Sequence, residues 1–197
     1  MWSEARQESP LIGLKQAQKS VAAAQTQAFG LIERPFFEMV NVRGEIDDPA
    51  FARVLRETAG VAPPVAPNTV AHGERYSLLW LGPDEWLLKS AAPCRPVMEA
   101  TLRPLLAGQY ASVVDVSSGY TVLELSGTRV RDVLQKGCPL DLHPRQFRVG
   151  QCAQSHFFKA DVLLWPLDAG TWAVTVRRSF ADYAGRMLLD AAEEFLA

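Results

Sequence analysis

Leu78 to Leu88 reads LLWLGPDEWLL, and Leu163 to Val174 reads LLWPLDAGTWAV. Each stretch opens on Leu-Leu-Trp, passes through turn residues and returns through a second tryptophan into apolar residues. Gly, Pro and Asp between two apolar, aromatic runs is hairpin chemistry: proline presets φ, and Asp and Gly tolerate turn geometry. The chain is therefore expected to build one Trp-flanked hairpin twice. The acids do not repeat with the tryptophans, since Asp84-Glu85 has no Asp-Glu counterpart beside Asp168. What recurs is packing and turn chemistry, which marks the hairpins as frame elements of the fold.

Outward from each hairpin the order of elements also recurs. FFEMVNVRG before the first hairpin alternates like a strand, and IDDPAFARVLRETAG follows as a helix. Asp48 is placed to cap it, Pro49 suits its first position, and Gly60 suits a left-handed end. Phe51, Val54, Leu55 and Thr58 share a face. The proline-rich VAPPVAPN reads as a linking loop, and PCRPVMEATLRPLLAG as a helix that Pro104 kinks or divides. In the second half ASVVDVSSGYTVLELSG reads as strand, turn, strand. TRVRDVLQKG reads as a short helix ended by Gly137, and CPLDLHPRQFRVGQC as an extended loop. SFADYAGRMLLDAAEEF closes the chain as a helix capped by Ser179, with Phe180, Tyr183, Ala184, Met187, Leu188, Ala191 and Phe195 on one face. Taking Trp80 and Trp165 as equivalent sets the offset at 85 positions. The expected fold class is α+β, with mainly antiparallel sheets and duplicated strand-helix-hairpin-helix halves over about 31–108 and 109–197.

Residues 1–30 differ in composition. LKQAQKSVAAAQTQAFG is rich in Ala and Gln and lacks an apolar stripe, so it is read either as a partly ordered tail or as an arm that lies on another chain. Pro10-Leu11-Ile12-Gly13-Leu14 would anchor that arm. Residues 31–197 are expected to form a single domain.

A chain of 197 residues buries roughly 70% of its unfolded surface, so it needs no metal or disulfide staple. Its net charge of −2 and lack of a basic stripe argue against nucleic-acid binding and anionic membranes. An odd cysteine count, Cys94, Cys138 and Cys152, with no Cys-x-x-Cys spacing, suits free thiols in a reducing compartment. There is no 18-residue apolar run and no apolar signal core, so the cytoplasm is the expected location. His72, His143 and His156 lie at no ligand spacing, so no metal site is expected. Gly-x-Ser-x-Gly, Gly-x-Gly-x-x-Gly and the Walker loop are absent, and Ser117-Ser118-Gly119 reads as a hairpin turn. Two carboxylates stand out, Asp115 in VVDVSS and Asp161 in KADVLLW, because apolar residues surround them. An acid on such a strand faces solvent or requires a partner. No catalytic residue is assigned.

Residues Val113 to Phe195 resemble the folate-binding domain of the glycine-cleavage T-protein superfamily. The likeness rests on Asp115 to Ser117, Ser126-Gly127, VLQKGCPLDL, the spacing of Phe147, Gly150 and Ser155, and the Asp161 strand. Together with ESPLIGL, LGPDEWLL and RRSFADY, the chain resembles most the gamma subunits of heterotetrameric sarcosine oxidases. That resemblance implies a folate-binding-domain-like fold in a subunit without a cofactor of its own. It implies alpha, beta and delta partner subunits, the alpha chain in direct contact, with FAD, FMN, NAD and tetrahydrofolate held by the partners. The complex would oxidise sarcosine to glycine with hydrogen peroxide and pass the methyl carbon to tetrahydrofolate. T-protein relatives carry an Asp-Asp pair where this chain has Lys159-Ala160-Asp161, so Asp161 and Asp115 are at most vestigial folate ligands. The alternatives are a stand-alone folate-binding or aminomethyltransferase-like protein, and a gamma-like subunit of a related N-methyl amino acid dehydrogenase.

Overall fold

The computed structural model describes residues 8–14 and 28–196. The strands are β1 (Gly30–Arg34), β2 (Phe37–Gly44), β3 (Val70–His72), β4 (Tyr76–Gly82), β5 (Glu85–Pro93), β6 (Ala111–Asp115), β7 (Tyr120–Ser126), β8 (Ala153–Phe157), β9 (Ala160–Pro166) and β10 (Thr171–Arg177). The helices are α1 (Pro49–Ala59), α2 (Met98–Leu105), α3 (Val130–Gln135) and α4 (Ala181–Ala192). Two five-stranded sheets result, ordered β3-β4-β5-β2-β6 and β1-β7-β10-β9-β8, and every pairing is antiparallel.

Period-two alternation sorts the side chains into three apolar layers. On β5, Trp86 and Leu88 face Phe51 and Leu55 of α1 and Leu102 of α2, while Leu87 faces the other sheet. On β10, Trp172, Val174 and Val176 face α3 and α4, while Ala173 faces the first sheet. The architecture is therefore helices, sheet, sheet, helices. Its middle layer joins Met39, Leu79 and Leu87 to Val122, Leu163 and Trp165.

The duplication is present, with two differences from the sequence reading. ASVVDVSSGYTVLELSG is not a hairpin. β6 pairs with β2 in one sheet and β7 pairs with β1 and β10 in the other, so each half lends its first strand to the other half's sheet. Ser117–Gly119 is a 3-10 turn that carries the chain between the sheets, where Ser117 Oγ accepts from Met39 N at 2.9 Å. Alternation identifies a strand but not its partner, which long-range packing selects. Secondly, Trp80 and Trp165 are not equivalent. Trp80 packs toward the helices, whereas Trp165 lies between the sheets. The fully buried pair Trp86 and Trp172 sets the offset at 86, which matches Leu79 with Trp165. In a strand, one residue of slip moves a side chain to the opposite face.

The α1 signals act as read. Asp48 accepts from Ala50 N at 2.8 Å, and Gly60 ends the helix at φ 73°. Elsewhere the ends differ. Pro104 sits in the last turn of α2, which stops one residue later. α3 ends at Gln135 with Lys136 still helical, and Gly137 is needed because the Phe157 and Phe158 rings lie within 2.8 Å of where its Cβ would stand. Ser179 is not the cap of α4, which follows a 3-10 turn over Arg178–Phe180 and has no side-chain cap.

The proposed arm is corrected in its described parts. Leu11 and Leu14 are buried in this chain's own core, with Leu14 Cδ2 2.7 Å from where a Cβ on Gly185 of α4 would stand. Phe29 is buried there too, and Arg129 N donates to Ala28 O at 2.9 Å. Two leucines three residues apart bury against a small residue as well within a chain as on a partner. The Ala/Gln stretch from residue 15 to 27 lies outside the described residues.

Candidate functional site

Where the two sheets diverge, their facing surfaces leave a cleft of about 500 Å3. Asn41 and Glu85 line it from one sheet, and Asp161, Thr175 and Arg177 from the other, with Tyr120 and Gln154 at its sides. Leu81, Leu87, Val116 and Leu163 supply apolar walls. The alternation that sends Ala173 inward also sends Thr175 and Arg177 to this face. Register places Tyr120 beside Arg177 and His156 beside Asp161. One step beyond the pair Val176 and Val162, Arg177 stands opposite Asp161.

Glu85 is already engaged: Asn41 Nδ2 donates to its Oε1 at 2.7 Å, and Arg43 approaches its other oxygen at 3.6 Å. Gln154 Nε2 donates to Leu81 O at 2.9 Å and ties the sheets together at the rim. The Arg177 guanidinium lies 5.8 Å from the Tyr120 ring centroid. Thr175 Oγ1 is buried and has no hydrogen-bond partner among the described residues.

The two acids singled out in the sequence are not brought together. Asp161 lines this cleft, whereas Asp115 lines a separate cavity of about 290 Å3 with Phe36, Cys94, Ser117 and Arg178. The Asp115 carboxylate is occupied in its own turn, accepting from Ser117 N at 2.9 Å and from Ser117 Oγ. An acid closing an Asx-type turn fixes backbone, and both of these bonds fall on Asp115 Oδ1.

Glu38 and Lys89 are buried ionisable groups that escaped the sequence reading. Glu38 is 1% exposed and accepts from Val97 N and Met98 N, at the start of α2, and from Tyr76 OH at 2.8 Å. It caps a helix from a distant strand, and burial with this bond pushes the Tyr76 phenol up to about 12. Lys89 is 9% exposed between the sheets, its Nζ 3.4 Å from the Phe37 ring centroid and donating to Ser90 O at 3.1 Å. Burial lowers its pKa to about 8. Alternation gave a signal for both: Lys89 shares the inward phase of Leu87, and Glu38 shares the helix-facing phase of Val40 and Val42.

Among the described residues no three His, Cys, Asp or Glu side chains converge to hold a metal. Cys138 and Cys152 are buried free thiols, Cys152 pushed up to about 12 by burial, so it offers no thiolate nucleophile. No helix among the described residues is long and apolar enough to cross a membrane.

Comparison with known proteins agrees with this geometry. The model of the family "Sarcosine oxidase, gamma subunit family" matches residues 43–194, well over half of the chain. The sarcosine oxidase subunit gamma of Corynebacterium sp. strain U-96 is 35% identical over 190 residues, covering 96% of this chain and 91% of that protein. Its counterpart from strain P-1 is 36% identical over 178 residues, covering 88% and 86%. Among solved structures, a chain of the heterotetrameric sarcosine oxidase of Corynebacterium sp. U-96, in complex with pyrrole 2-carboxylate, superposes with a TM-score of 0.87 at 33% identity over 97% of both chains. The glycine cleavage system aminomethyltransferase T of Bartonella henselae superposes with a TM-score of 0.63 over 90% of this chain and 52% of that one. At 16% identity it shows a shared fold alone. The chain belongs to the sarcosine oxidase gamma subunit family.

Proposed function

We propose that this chain is an assembly-forming gamma subunit of a cytoplasmic heterotetrameric sarcosine oxidase and carries no catalytic centre itself. In this reading the complex oxidises sarcosine to glycine with release of hydrogen peroxide and passes the methyl carbon to tetrahydrofolate. FAD, FMN, NAD and tetrahydrofolate are bound by partner subunits, and the alpha chain is the direct neighbour. The observation that carries it is the superposition, over 97% of both chains, on a subunit of a solved heterotetramer. The local chemistry agrees: the two acids singled out in the sequence sit in separate cavities, and one of them closes its own turn.

The test is co-expression with the alpha, beta and delta chains, followed by native mass spectrometry and flavin analysis. The expected result is a four-subunit particle that contains this chain, and no flavin on the chain alone. A chain that stays outside every larger assembly overturns the reading. Titration of the chain with tetrahydrofolate separates the alternative: binding abolished by Asp161→Asn would make it a folate-binding protein.

A further inference from the structure

Asp161 and Arg177 stand opposite each other across the β9–β10 ladder, and opposite charges in that position normally close into a pair. Here they do not: among the described residues neither side chain forms an ion pair, although Arg34, Arg43, Arg103, Arg129 and Arg186 all do. Arg177 rests on the Tyr120 ring instead. Both open onto the same cleft, where Leu81, Leu87, Val116 and Leu163 provide apolar surface and Glu85 is already engaged by Asn41. On the same inward face lies Thr175, 2% exposed, a short side chain that leaves the space between the sheets open, its Oγ1 buried and without a hydrogen-bond partner among the described residues.

A carboxylate and a guanidinium that share one cleft without pairing, beside apolar side chains, match a small molecule that carries both charges on one carbon and an apolar body. We propose that this cleft binds an amino acid in its zwitterionic form, with an apolar side chain. Asp161 receives the ammonium, and Arg177 receives the carboxylate through its planar fork of donors. The side chain lies against Leu87, Val116 and Leu163. A volume of about 500 Å3 accommodates a side chain as large as that of phenylalanine. The site binds and performs no chemistry. It therefore stands apart from the assembly role, and its failure would leave that role intact.

Equilibrium dialysis of the full chain with labelled L-phenylalanine, 2-phenylethylamine and 3-phenylpropionate tests it. The expected result is saturable binding of phenylalanine, about tenfold or more tighter than either half-ligand, since each lacks one charged contact. Arg177→Gln should erase the preference for phenylalanine over the amine, and Asp161→Asn the preference over the acid, with circular dichroism showing both variants folded. Either preference surviving its own substitution overturns the assignment of that contact. Equal affinity for all three compounds, or no saturable binding of phenylalanine up to about 10 mM, overturns the site.

Discussion

Lys89 gives the sharpest test of the packing between the sheets. Its ammonium is buried with no carboxylate within ion-pairing distance among the described residues, and burial is the dominant cause of its fall to about 8, opposed by the Glu124 charge. Below pH 8 the folded and unfolded chains both carry the proton, and the folded state bears the full cost of the buried charge. The gap from the ordinary 10.5 corresponds to about 3 kcal/mol. The Phe37 ring beneath Nζ returns about 1–2 kcal/mol of that as cation–π attraction. Between pH 8 and 10.5 the folded chain has lost the proton while the unfolded chain still binds it, so stability rises with pH across that window. It is lost again as the pH falls back through 8.

Lys89→Met keeps a long flexible side chain and removes the charge. At pH 7 it should stabilise the chain by about 1–2 kcal/mol, and the difference from the wild type should shrink steadily as the pH rises from 8 to 10.5. Urea unfolding followed by tryptophan fluorescence at a series of pH values is the assay. Tyr76 and Cys152, both raised to about 12 in the fold, make stability fall at alkaline pH; they do so in both proteins and cancel in the difference. A variant less stable than the wild type at pH 7, or a difference flat with pH, would refute the account of Lys89 as an uncompensated buried cation.

The other perturbations follow from burial and partners. Trp165→Ala, in the layer between the sheets, should cost about 3–5 kcal/mol in urea unfolding, and half-buried Trp80→Ala clearly less; equal costs would argue against the register that separates them. Glu38→Ala leaves two backbone N–H groups and a phenol without their acceptor, so it should cost about 3 kcal/mol; a spectrophotometric titration should also show the Tyr76 phenol falling from about 12 toward its ordinary value. Leu11→Ala and Leu14→Ala should each cost about 2–5 kcal/mol in the isolated chain; a loss of assembly with unchanged stability of the free chain would return these residues to an intermolecular role.

Periodicity and caps were legible because they are local. Asp48, Pro49 and Gly60 bound α1 as their chemistry requires, and the Trp-flanked hairpins told the number of halves. What escaped depends on contacts distant in sequence. Nothing in ASVVD indicates that its strand joins β2, 67 to 75 residues back in sequence order and in the other half, and nothing near Glu38 announces a helix start at Met98. Leu11 and Leu14 looked isolated because their receptor, the small face of α4 at Gly185, lies at the other end of the chain. For the site, the sequence singled out Asp161 and, separately, Asp115. The companion across the ladder is Arg177, which only the β9–β10 register reveals.

The two-fold duplication makes the cleft testable from within the fold. Lys89 pairs with Met39 and Ser77, and Thr175 pairs with Val122 and Leu163, so the two residues occupy equivalent inward positions. Phe37 under Lys89 corresponds to Tyr120 beside Arg177. In the first half a long side chain crosses the space between the sheets; in the second a short one leaves the cleft open. Thr175→Lys should therefore close the second copy as Lys89 occupies the first. The frame tolerates an inward lysine at the equivalent position, so the variant should remain folded, at a cost of about 3 kcal/mol for a second buried ammonium. Its extra charge should give stability a second rise with pH in the alkaline range. Phenylalanine binding should disappear with the volume, even though Asp161 and Arg177 are untouched. If the variant binds as the wild type does, the ligand does not enter the cleft. If it unfolds at pH 7 in the absence of urea, the two halves are not interchangeable at this position and the duplication does not extend to the inward faces of β5 and β10.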